Sequence, residues 1–206
     1  MCIRDRPPSD IVHWVEMDFL DPTSISAAAT QIIEKTPIID RLIMVGGVLK
    51  DNETQPEKRL SDIDPSALHY SYQVNAIGPI LLVKSLWQAL RKPRPLVVAS
   101  LSARVGSIAD NQLGGWYGYR ASKAALNQLS HTAAIELARY NPDSCMVTLH
   151  PGTVDTDLSR PFQKMATSTS IFSADQSAAK LWQVMDQLNP AQTGGFFAYD
   201  GSSVPF

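Results

Sequence analysis

An alternation constrains this chain most: apolar runs of strand length recur between longer segments whose apolar residues return at helical spacing. Ile11 to Met17 reads as a strand after the polar lead Pro7-Pro8-Ser9-Asp10. Asp21 before Pro22 reads as a helix cap followed by a first-turn proline, and Ile25, Ala28, Ala29, Ile32 and Ile33 mark one face of a helix ending near Lys35. Arg41 to Val45 is a second strand, running into Gly46-Gly47. Asp64-Pro65 repeats the cap signal ahead of a long apolar segment to about Arg91, with Pro79 as a kink inside it and Pro93 and Pro95 ending it. Leu96 to Ala99 has the continuous apolar character of a strand covered on both faces and closes in Ser100-Leu101-Ser102. Helical spacing returns from Tyr119 to Tyr140. Met146 to Leu149 is a strand closed by Pro151-Gly152, Ser173 and Gln176 form a capping box for a helix to about Leu188, and Gly195 to Tyr199 is the last strand.

This order predicts a doubly wound α/β fold, a parallel sheet with helices on both faces. At 206 residues the chain suits one domain, 1–206, with 1–10 as a non-native or disordered head. Ligands of such sheets sit at the carboxyl ends of the strands, which directs attention to the loops after Met17, Val45, Leu101 and Leu149. The least patterned stretches are Lys50 to Ser61, Val105 to Gly118 and Thr153 to Ser170.

Charge and composition exclude several functions. Eighteen Lys and Arg against twenty Asp and Glu leave a net charge of -2 with no basic cluster, which argues against nucleic-acid or anionic-membrane partners. The longest apolar run, Ile77 to Val83, falls far short of the roughly 20 residues of a membrane span. The first residues lack the apolar core of a secretion signal, so a cytoplasmic location is expected. Cys2 and Cys145 allow at most one bridge and no metal cluster, and reduced thiols are the default.

The sharpest local feature is Tyr119-Arg120-Ala121-Ser122-Lys123, which puts a phenol and an ammonium on one helix face. Six Tyr and eight Lys in 206 residues give about 0.23 such spacings by chance, so a surface pair that merely shares a helix is the bland alternative. A phenol near pKa 10 needs roughly 4 kcal/mol of help to ionise at neutral pH, and a neighbouring Lys supplies part of it.

In context these residues carry more. A strand ending in Ser102, a Gly-bearing loop with Trp116, the Tyr-Lys helix, and a strand ending in Pro151-Gly152-Thr153-Val154-Asp155-Thr156 follow in an order that resembles the short-chain dehydrogenase/reductase family. Gly114 to Asn127 looks most like its C-factor-like branch, and the resemblance runs from about Ile11 to Phe206, including Tyr199-Asp200-Gly201 and Val204-Pro205. It implies a Rossmann-like α/β/α sandwich and an NAD(P)-dependent reduction of a carbonyl compound, or the reverse. Tyr119 would exchange the proton, and Lys123 would lower its pKa and hold the nicotinamide ribose. Asn75 matches the helix asparagine that orders a relay water; an amide binding backbone at the Pro79 kink is its bland alternative. Asp18 matches the acid that contacts the adenine, against a plain capping role. Pro151, Gly152, Val154 and Thr156 match the loop that holds the carboxamide, against an ordinary turn. NADP(H) is expected over NAD(H), with a small-molecule carbonyl or alcohol substrate and a homodimer or tetramer; the apolar faces of Ala76 to Leu90 and Ala121 to Leu137 resemble the family's dimerisation helices, with a place in the core as the equal alternative.

Departures from the family pattern are equally informative. Asn-Asn-Ala-Gly becomes Met44-Val45-Gly46-Gly47, which keeps the glycine, Gly47, that lets backbone approach the cofactor. Ser-Ser-x-x-Gly becomes Ser102-Ala103-Arg104-Val105-Gly106, so Ala103 takes the catalytic serine's slot. Ser102 is the expected replacement, with Ser100 and Ser107 as rivals. No Gly-x-x-x-Gly-x-Gly turn occurs in the sequence, and the matching region begins at the family's third strand, so an N-terminally truncated reductase is expected. The strand Arg41 to Val45 would then expose an edge, with Ile11 to Met17 shifting toward it or packing poorly and the chain tending to aggregate. A non-catalytic C-factor-like signalling or regulatory protein, and an inactive fragment, are the alternatives. The loop Ser159 to Ser170, with Phe162 and Met165 its only large apolar residues, would cover a small or medium substrate.

Overall fold

The computed structural model describes residues 12–51, 55–160 and 171–206. In chain order the main elements are α1 (Pro22–Lys35), β1 (Arg41–Met44), α2 (Pro65–Tyr72), α3 (Gly78–Leu90), β2 (Leu96–Leu101), α4 (Tyr117–Tyr140), β3 (Ser144–His150), β4 (Thr153–Val154), β5 (Ile171–Phe172), α5 (Ala174–Gln187) and β6 (Phe196–Ala198). Four parallel strands form the main sheet in the order β1-β2-β3-β6, with Ile43 opposite Ala99, Ser100 opposite Thr148, and Leu149 opposite Phe197.

Successive strand residues face opposite sides, and both faces are covered. Val98 and Met146 pack with Ile25 of α1, Leu86 of α3 and Leu137 of α4. Ala99, Val147 and Leu149 pack with Leu181, Val184 and Met185 of α5. Helices on both faces of a parallel sheet make the three-layer, Rossmann-like architecture that the alternation predicts.

The helix starts lie where the cap residues put them. Asp21 accepts from Thr23 N at 2.8 Å and Asp64 from Ala67 N at 2.9 Å, while Ser173 and Gln176 cap each other's backbone. The segment from Pro65 to Leu90 differs from a simple proline kink. Pro79 has no N–H for the Asn75 carbonyl, and the chain absorbs this one turn earlier as a π-turn, Gln73–Ile77, in which Gly78 N bonds back to Gln73 O. Asn75 is carried inward by that widened turn and is fully buried.

The expected first strand is a correction. Residues 12–17 form no strand, because among the described residues no ladder partner lies beside them; Val12 is 47% exposed and Trp14 46%. His13 and Val15 instead line, with Ile32, Ile39 and Leu42, a cleft of about 610 Å³ beside β1, the end strand of the sheet. Ile11, the head 1–10, and Phe162 and Met165 lie outside the described residues. α4 starts two residues before Tyr119, and β3 extends the expected strand at both ends. Among the described residues no helix is long and apolar enough to cross a membrane, no group of His, Cys, Asp or Glu is placed to hold a metal, and Cys145 is free and buried.

Candidate active site

The ends of β1 and β2 meet the first turns of α4, where Tyr119, Lys123, Asn75, Gly47 and the Leu101-Ser102 strand end come together. Lys123 is 3% exposed, and its Nζ donates to Leu101 O at 2.8 Å, at the end of β2 and next to Ser102. Its approach depends on Gly106, where a Cβ would lie 2.7 Å from Lys123 Cβ and 3.0 Å from its carbonyl carbon. This contact explains the glycine in the Ser-Ala-Arg-Val-Gly run. Gly47 closes the other side: a Cβ there would sit 3.2 Å from Lys123 Nζ and 3.3 Å from Asn75 Oδ1.

Asn75 is a latch. Its Oδ1 accepts from Val48 N at 2.7 Å, and its Nδ2 donates to Val48 O at 2.9 Å and Ser122 Oγ at 3.0 Å. Ser122 Oγ in turn donates to Tyr119 O at 3.0 Å. One buried amide thus joins the loop after β1 to the turn of α4 that carries Tyr119.

Tyr119 is half-buried, and the Lys123 Nζ lies 5.8 Å from its ring centroid. Burial raises the phenol to about 12. Burial also pushes the Lys123 ammonium down to about 8. At neutral pH both groups are therefore in their protonated forms, with Lys123 the one near its titration point.

Among the serines, Ser102 and Ser100 are both buried and neither Oγ has a hydrogen-bond partner among the described residues. Ser107 Oγ, by contrast, accepts from Asp110 N at 3.1 Å. Ser102 N donates to Leu149 O at 2.8 Å, so the ladder between β2 and β3 continues through it. Being two residues apart, Ser100 and Ser102 share a strand face, that of Val98, which packs with α4.

The loop after β3 is held from two sides. Pro151 O accepts from Ser177 Oγ of α5 at 2.8 Å, Thr153 and Val154 pair with Ile171 and Phe172, and Gly152 adopts φ +79° against the rings of Phe172 and Tyr199. Thr156 N bonds Ser159 Oγ at 3.4 Å. Asp18 stands apart from this cluster: it is exposed, and its Oδ1 accepts from Leu20 N at 2.9 Å in a turn ahead of α1, whose cap is Asp21. His150, ahead of Pro151, has its Nδ1 3.3 Å from Arg104 N, and burial and the Arg104 charge push it down to about 4 despite Asp200.

Two residues that organise the site escape sequence reasoning. Arg120 donates to Gly115 O at 2.9 Å, Gly114 O at 3.1 Å and Val105 O at 3.3 Å, and so ties down the loop before α4. Paired Gly114 and Gly115, both at positive φ, are the one signal that this stretch is built. Glu57 is buried with its carboxylate on Gly118 N, and nothing in the unpatterned run around it announces that.

Comparison with known proteins agrees with this fold. The family model described as short chain dehydrogenase matches residues 4–167. The C-signal protein of Myxococcus xanthus is 35% identical over 148 residues, covering 71% of this chain and 83% of that protein. The carbonyl reductase Sniffer of D. melanogaster superposes with a TM-score of 0.80 at 26% identity, over 94% of this chain and 78% of that one. A short-chain dehydrogenase/reductase from Burkholderia multivorans with bound NADP superposes with a TM-score of 0.73 at 27% identity, over 92% of this chain and 75% of that one. With the family model spanning most of its length and the fold and helix geometry in agreement, the chain belongs to the short-chain dehydrogenase family of NAD(P)-dependent oxidoreductases.

Proposed function

We propose that this protein is an NADP(H)-dependent carbonyl reductase in which Tyr119 Oη gives a proton to the substrate oxygen, or takes it back in the oxidative direction. The observation that carries the reading is the buried Lys123, which bonds the end of β2 next to Ser102 while its Nζ lies 5.8 Å from the Tyr119 ring centroid. Bound cofactor supplies or accepts the hydride. The residues present suit its nicotinamide end: Lys123 Nζ uses one of its three protons on Leu101 O, Gly47 leaves open the space a Cβ would fill, and the Ser102 hydroxyl is orphaned. Val154 and Thr156 would line the carboxamide, Asn75 would hold the Gly47-Val48 backbone in place, and Asp18 would meet the adenine. The preference for NADP(H) leans on the Burkholderia multivorans relative, which holds NADP.

Each residue has a distinct task. A phenol raised to about 12 stays protonated and donates, while the Lys123 charge stabilises the phenolate left behind. Ser102 orients the carbonyl by donating to its oxygen. With NADPH and a small aldehyde, Tyr119→Phe should lower turnover by about 10²- to 10⁴-fold, the range for losing a general acid. If Ser102→Ala leaves turnover unchanged while Tyr119→Phe abolishes it, the serine assignment is wrong.

A second reading has its own support. The likeness to the C-signal protein, together with Ala103 and the altered Met44 to Gly47 segment, suits a signalling or regulatory protein on the same fold. NADPH binding without turnover of any carbonyl would select it.

A further inference from the structure

We propose that Glu57 is the N-terminal cap of the helix that carries Tyr119 and so a positioning residue for that tyrosine; this rests on the reading of Tyr119 just given. A helix leaves its first backbone N–H groups without internal partners, and a residue of the Ser, Thr, Asp or Asn type at its start commonly satisfies one. α4 has none: its N-cap position is Trp116, whose side chain makes no cap bond and whose backbone is left-handed at φ 54°. The missing acceptor comes from 61 residues upstream, where both carboxylate oxygens of Glu57 lie on Gly118 N, at 3.1 and 3.3 Å. The Glu57 backbone joins in, its carbonyl accepting from Trp116 N at 2.5 Å.

Burial makes the contact consequential. Glu57 is 6% exposed, and a buried carboxylate is costly unless something offsets its charge. Here the offset is the positive end of a 24-residue helix. Gly118 is what admits it: a Cβ there would lie 2.8 Å from Glu57 Oε1, with the flexible end of Leu68 next at 3.2 Å. The residue after Gly118 is Tyr119, whose own backbone carbonyl is held by Ser122 Oγ. Glu57 and the Asn75-Ser122 latch therefore fix the tyrosine's turn from two directions, and Arg120 ties the preceding loop to the same turn.

The test uses amide exchange, which does not require turnover. In wild type the Gly118 amide should be protected although it lies in the first turn of the helix. Glu57→Ala should exchange there about fivefold or more faster, the size expected from losing a cap, with the amides of Leu129 to Ala134 unchanged. Glu57→Gln, which keeps an acceptor oxygen, should restore most of the protection. Gly118→Ala should lower Tm in wild type, and most of that loss should vanish when Glu57→Ala is present as well, a sign that the two side chains collide. In active protein, Glu57→Ala should lower kcat with KM little changed, and Glu57→Gln should recover it. Unchanged Gly118 protection in Glu57→Ala, or a Gly118→Ala loss indifferent to residue 57, overturns the proposal. Absent turnover alongside a Glu57-dependent Gly118 amide would instead sink the reductase reading and leave the cap standing.

Discussion

β3 and β1 belong to one parallel sheet, yet they are held by different means. Every residue of β3 from Ser144 to Leu149 is buried between β2, β6 and two helix layers. Among the described residues β1 pairs only with β2, just its last residue, Met44, is buried, and its free side borders the cleft lined by His13 and Val15. The candidate site follows the same division. Tyr119, Lys123, Ser102 and the Pro151-Gly152 turn stand on the well-packed side, whereas Asp18 rides on a segment with no sheet partner. Precise positioning belongs where packing and hydrogen bonds over-determine the geometry, and the tyrosine end of the site is assembled there.

Truncating one apolar residue on each side breaks this comparison most directly. Leu149→Ala, at a fully buried position of β3, should cost about 2–5 kcal/mol in denaturant unfolding, while Val15→Ala on the cleft should cost less than about 1 kcal/mol. Equal costs would mean that the segment before α1 is as firmly packed as the sheet centre.

Lys123 sharpens it next. Burial lowers this ammonium to about 8, so between pH 8 and its ordinary value of 10.5 the unfolded chain binds more protons, and stability rises with pH through that window. Burial raises Cys145 to about 11 and Tyr119 to about 12, which pulls stability the other way above their ordinary values of 9.0 and 10.0. The Lys123 signature is therefore clearest from pH 8 to 9. Lys123→Met should be more stable than wild type at pH 7 by about 2 kcal/mol, once the cost to the unpaired Leu101 carbonyl is set against the relief of desolvation. A variant less stable than wild type at pH 7 would contradict the assignment.

The smallest effect is at His150. Its folded value of about 4 lies below the ordinary 6.5, so protons favour the unfolded chain as pH falls from 6.5 to 4, and stability is lost across that range. His150→Asn should remove roughly 1–2 kcal/mol of this acid sensitivity, read from unfolding curves at the two pH values.

What the sequence disclosed and what it hid divide along the same line. Local chemistry was legible: Asp21, Asp64 and Ser173 cap the helices they precede, and Tyr119 and Lys123 share the face their spacing required. So was the alternation that fixes the sheet, since buried parallel strands read as short apolar runs. Non-local partners were not legible. Ile11 to Met17 has strand composition, but a strand exists only beside another, and among the described residues none lies beside 12–17; only the family resemblance, which left Arg41 to Val45 with an open edge, pointed to poor packing there. Pro79 announced an irregular helix, but the π-turn falls one turn earlier because the proline removes the N–H owed to Asn75. Glu57 lies 61 residues from the amide it caps, in a run whose composition suggests an open loop. The direction of the Tyr119 shift was hidden for the same reason, because desolvation depends on what folds over the phenol.

The central claim is that the nicotinamide end of the site is built around Lys123 and Tyr119, and NADPH titration followed by nicotinamide fluorescence tests it most directly. A saturable rise in wild type, weakened at least about tenfold in Lys123→Met while that variant remains folded, is the predicted result, in line with the loss of a buried charge-assisted hydrogen bond. Wild type and Lys123→Met binding NADPH with the same affinity would contradict it.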